Sequence, residues 1–142
     1  MSIVYNIAKK RLIDGSLDLS DSKINVLLVM SGTTAGTSTS EDRSTLGQIT
    51  TLTELDTNTG YTAGGAQITN TSVTTDNTNE KGRFDADNVT WSNVQTGKRI
   101  VGAVVYQDTG SYLICYLTFT SFTTGGGDVT IAWNASGILQ TS

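Results

Sequence analysis

Oxygen-bearing side chains crowd one short part of this chain. Asp76, Asn77, Asn79 and Glu80 are followed by Asp85, Asp87 and Asn88. A hard cation such as calcium takes several oxygen ligands of this kind. The order of an Asp-x-Asp-x-Asp-Gly…Glu calcium loop is missing, however. Asp and Asn are also the residues that backbone turns favour. The cluster therefore reads as turn chemistry, and no metal is expected. A pair of carboxylates held across a cleft could hydrolyse a glycosidic bond. Asp85, Asp87, Asp108 and Asp128 are the acids available for it, but sequence sets no separation between them.

Other chemistry fares no better. The chain has no His, the commonest general base and metal ligand. Its single cysteine, Cys115, has no His to make it a thiolate. Cys115 alternates with Leu113 and Leu117, which predicts a small core residue. One cysteine allows no internal disulfide, so the fold suits a reducing compartment. The glycines of residues 31–40 lack phosphate-loop spacing and no Gly-Lys-Ser/Thr follows them. No catalytic, cofactor-binding or metal residue is assigned, no cofactor is called for, and the chain reads as a non-enzyme.

Three aromatics are candidates for stacking a sugar. Trp91 and Trp133 each follow a Val or Ile by two residues, Val89 and Ile131, which places them on the same strand face and predicts core packing. Tyr61 lies in Asn-Thr-Gly-Tyr-Thr-Ala-Gly-Gly and is the aromatic expected to be exposed. Asn70, Asn88 and Asn134 begin Asn-x-Ser/Thr triplets, which a Thr- and Ser-rich chain contains by chance.

The elements that carry these residues follow from periodicity. Residues 2–14 predict a helix with Val4, Ile7, Ala8 and Leu12 on one face, Ser2 as N-cap and Gly15 just past the end. Lys9, Lys10 and Arg11 complement its carbonyl end; the alternative is a docking patch for an acidic surface. Residues 23–30 read as a central strand, apolar on both faces. Residues 31–44 are small and polar and predict a long surface loop, either mobile or used for contact. A short helix is expected over 44–49, and strands over 66–75, 82–86, 88–91, 98–106, 112–119 and 129–133. Leu113, Cys115, Leu117 and Phe119 should share one face; Tyr112, Ile114, Tyr116 and Thr118 the other. Along 98–106 the split is Val101, Ala103 and Val105 against Ile100, Val104 and Tyr106. The fold class is mainly β: an antiparallel sandwich or flattened barrel of about seven strands with a short N-terminal helix.

Composition bounds the partners. At 142 residues the chain fits one domain, 1–142. Its net charge of -4 and pI of about 4.5 argue against nucleic acid, whose phosphates call for a basic face. No apolar run is long enough to span a membrane. Apolar residues precede the first Lys and Arg, the reverse of a secretory signal. Pro is absent, so Gly, Asn, Asp and Ser must make the turns.

Several stretches resemble a family of small tailed-bacteriophage virion structural proteins. They are Tyr-Thr-Ala-Gly-Gly at 61–65, Asp-Ala-Asp-Asn-Val-Thr-Trp at 85–91 and Val-Val-Tyr-Gln-Asp-Thr at 104–109. Leu-Ile-Cys-Tyr-Leu-Thr-Phe at 113–119 and Trp-Asn-Ala-Ser-Gly-Ile-Leu at 133–139 continue the pattern. The resemblance implies a non-enzymatic particle component: a capsid decoration, or cement, protein on the outside of the head. It further implies the major capsid protein as partner, a homo-oligomer (trimers would suit local threefold positions), and a virion location after assembly in the bacterial cytoplasm. The alternative is a tail, fibre or head-fibre component binding a host-surface glycan through Tyr61 and the 31–44 loop.

Overall fold

The computed structural model describes residues 2–20 and 23–141. The fold is mainly β, sandwich-like, with every strand pairing antiparallel. Its centre is a five-stranded sheet. β1 (Ile3–Val4) pairs β8 (Tyr112–Thr123), which pairs β7 (Arg99–Gln107), then β2 (Ile24–Met30), then β3 (Ala66–Gln67). A three-stranded sheet holds β10 (Leu139–Thr141), β5 (Lys81–Asp85) and β4 (Ser72–Asp76) in that order. A two-stranded sheet pairs β6 (Val89–Trp91) with β9 (Val129–Ile131).

The large sheet is covered on both faces, as the apolar run of β2 predicts. On one face Ile24, Val26, Leu28, Ala103 and Val105 pack with Phe84, Val89, Trp91, Ile131 and Leu139 of the two small sheets. On the other, Leu27, Val29, Val104 and Tyr116 pack with Tyr5, Ala35 and Ile49. β strands thus close one side, and the N-terminal segment with the region around residues 35–49 closes the other.

The elements depart from the sequence reading in several places. The helix α1 spans Asn6–Ile13 and starts after Tyr5, not Ser2. Ile3 and Val4 instead pair with Tyr116 and Cys115, because two apolar residues bury more on a sheet edge than on a first helical turn. Ser2 takes the Thr118 amide on its hydroxyl. Gly15 does follow α1 with φ +76°. The 31–44 segment is no bare surface loop: it contains a helical turn, α2 (Ser38–Glu41), and buries Ala35 and Ser40. The expected strand over 66–75 splits into β3 and β4.

Two further departures are bulges. Val105 pairs Cys115 while Tyr106 pairs Leu113, so Ile114 is an extra residue. A bulge reverses the alternation beyond it. Leu113 accordingly joins Tyr116 in one core layer, and Ile114 joins Cys115 in the other. At Val101 the same device puts Ile100 in the layer of Ala103 and Val105, and Val101 against the layer of Val104 and Tyr106. Ten strands result among the described residues rather than about seven, since the 66–75 strand splits and β1 and β10 are too short to show in a pattern.

Candidate functional site

The acidic stretch 85–91 folds as a corner. Asp85 accepts the Ala86 amide at 2.9 Å. The Asp87 carboxylate is held by the Asn70 side-chain amide, and its backbone N–H donates to the Thr69 carbonyl at 3.0 Å. Asn88 accepts the Trp133 amide at 3.2 Å, and the Trp133 indole N–H returns to the Asp87 carbonyl at 2.7 Å. Val89 and Trp91 then drop into the core. Three separate segments are clasped here, by groups that would otherwise be free to bind something.

Asp76, Asp108 and Asp128 are likewise engaged. Asp76 accepts the Asn79 side chain and the Asn79 and Thr78 amides. These bonds, the Asn79 side chain first, hold its carboxyl below the usual carboxylate range. Asp108 accepts the Asn25 side chain, and Asp128 the Asn93 amide. Among the described residues, no three His, Cys, Asp or Glu side chains gather where they could hold a metal ion. Of the Asn-x-Ser/Thr triplets, Asn70 and Asn88 serve the corner, and Asn134 accepts the Ser136 amide.

Tyr61 corrects the sequence reading most sharply. It is buried at 2% exposure, not an exposed platform. Its hydroxyl accepts the Leu28 amide at 3.1 Å and donates to the Glu54 carboxylate at 2.9 Å. The same Glu54 oxygen takes the Gly64 amide at 2.5 Å. Burial, above all, pushes the phenol well above its ordinary value. The ring lies 5.7 Å from that of Trp91, tilted at 44°. Gly65 explains the inward turn: its Cα sits so close to β2 that a Cβ would stand 1.8 Å from the Val26 carbonyl oxygen. The Gly64-Gly65 pair was the available signal, because adjacent glycines permit close backbone approach.

Trp133 is half-buried against the core, with its indole spent on the corner. Cys115 is buried and its thiol is pushed up to about 12 by desolvation. The basic triplet stays at the surface but is partnered within the chain. Lys9 pairs Glu41 and Lys10 pairs Asp14, each at 2.7 Å. Arg11 donates to Gln107 at 2.6 Å and lies 4.1 Å over the Tyr112 ring.

What the sequence did not reveal is a hollow. β8 runs four residues past the expected end, to Thr123. Between this extension and β9 lies an apolar depression of about 300 Å³. Phe119, Phe122, Val129 and Ile131 form its walls, and it reaches Leu28 of β2. No helix of the described residues is long and apolar enough to cross a membrane. No protein-family model, no curated protein and no solved structure matches the chain.

Proposed function

We propose that this chain is a non-enzymatic structural protein of a tailed-phage particle, a decoration protein that binds the outside of the capsid and stabilises it. One observation carries the reading. The stretches that resemble the virion family are the ones that hold the frame: Tyr61 clasps β2, residues 85–91 form the corner, β7 and β8 make the central hairpin, and Trp133 locks the corner. The side chains with chemical potential are engaged in that frame, which leaves the work to surfaces. Cementing suits such a body, because many weak contacts repeated by shell symmetry add up. The major capsid protein is the partner, and the protein acts as a small homo-oligomer in the virion. The glycan-binding alternative has lost its exposed aromatic, since Tyr61 is internal.

Copy number per particle tests this. Hundreds of copies on the head, and heads that fail earlier under heat or low salt when the protein is missing, are expected. Label confined to the tail, or a handful of copies, would overturn it.

A further inference from the structure

The outer edge of β8 is covered along its first half and bare along its second. Thr45 bridges Tyr112, Ser44 accepts the Leu113 amide, and Tyr5 donates to the Ile114 carbonyl. β1 then pairs Cys115 and Tyr116, and the Ser2 hydroxyl takes the Thr118 amide. From Phe119 to Thr123, no described segment pairs that edge. Strand edges in soluble proteins are normally blunted by Lys, Pro or an inward charge. The run Phe-Thr-Ser-Phe-Thr at 119–123 has no charge and no Pro; its one irregularity is a shift in register against β7, which pairs Gly102 with Thr118 and Ile100 with Phe122. It is rich in β-forming residues, and Phe122 stands 38% exposed beside the apolar hollow.

We infer that this edge is the seat of a second copy of the chain, joined β8 to β8 about a twofold axis, with Phe122 of each copy covering the hollow of the other. A free antiparallel edge is complementary to itself about such an axis, so a second copy matches it without further design. One surface carries both the projecting ring and the apolar recess that can receive one. Charge agrees: a chain of net charge -4 meets its own kind with least repulsion through an uncharged strip. The inference deepens the reading above by naming the self-contact, and it stands or falls independently of any phage particle.

Sedimentation of the purified full chain at about 100 μM, in the concentration range of modest interfaces, tests it. A dimer is expected, and amides 119–123 should exchange more slowly as concentration rises. Thr120→Lys, which sets like charges across the axis, should weaken the dimer at least about tenfold, as should Phe122→Ser. Ile13→Lys, at an 88% exposed apolar position elsewhere, should not. A monomer at that concentration, a trimer, or a dimer indifferent to both β8 variants would overturn the inference. The exchange measurement uses the unsubstituted chain, so it decides the matter even if a variant folds badly.

Discussion

Two polar turns have opposite fates. Residues 58–65 are Asn-Thr-Gly-Tyr-Thr-Ala-Gly-Gly and residues 76–81 are Asp-Asn-Thr-Asn-Glu-Lys, both with few apolar atoms. The second stays outside, satisfied by its own Asp76. The first is drawn into the body, where Tyr61 satisfies a backbone amide of the central sheet. The difference is one aromatic ring plus glycines that let the backbone approach. Burying a ring is favourable only if its hydroxyl finds partners, and Glu54 and Leu28 supply them.

Breaking the buried turn should cost most at Gly65. Its φ of +76° and the Val26 carbonyl 1.8 Å from a built Cβ leave no room for a side chain. Gly65→Ala should lose roughly 4 kcal/mol or more, the range reserved for backbone strain and overpacking. Gly97→Ala, with φ +87° but open space around it, should lose only about 1–2 kcal/mol. Urea unfolding of the two variants measures the contrast.

Removing only the hydroxyl, in Tyr61→Phe, leaves the Leu28 amide and Glu54 without it and should cost about 2 kcal/mol. It should also change the response to alkali. Burial raises the Tyr61 and Tyr5 phenols above their ordinary 10.0, so the folded chain keeps protons that the unfolded chain gives up. Their contribution is complete below about pH 10 and is lost as pH rises. Stability measured against alkaline pH should fall less steeply in Tyr61→Phe than in the unsubstituted chain.

The exposed turn should yield the smallest effect. The folded state holds the Asp76 carboxyl below its usual 3.8, so its contribution is present above that pH and is lost as pH falls through the lowered value. Asp76→Asn should be slightly less stable at neutral pH, and the difference should vanish as pH falls through the lowered value. A loss as large as that of Tyr61→Phe would erase the contrast between the two turns.

The fold class and the major strands were legible because β2, β7 and β8 carry β-branched and aromatic residues in long runs. The corner at 85–91 was legible because Val89 and Trp91 share a strand face. Bulges are written in no local pattern: Val101 and Ile114 look like ordinary members of their strands, and only the partner strand makes them extra. Tyr61 misled for a related reason. Its neighbours are polar, and its burial comes from Trp91 and Leu28, far away in sequence. The hollow was hidden because Phe119 and Phe122 break the two-residue period on which strand reading rests.

The position of β2 has a consequence for how the molecule comes to be. Its residues 24–30 find their ladder partner in residues 100–107, on the far side of most of the chain. A nascent polypeptide therefore carries this apolar segment with only the short β3 available to pair it until β7 has been made. Such distant pairing slows the search for the native state and leaves a sticky strand exposed meanwhile. The central ladder consequently closes late in synthesis, once β7 has emerged.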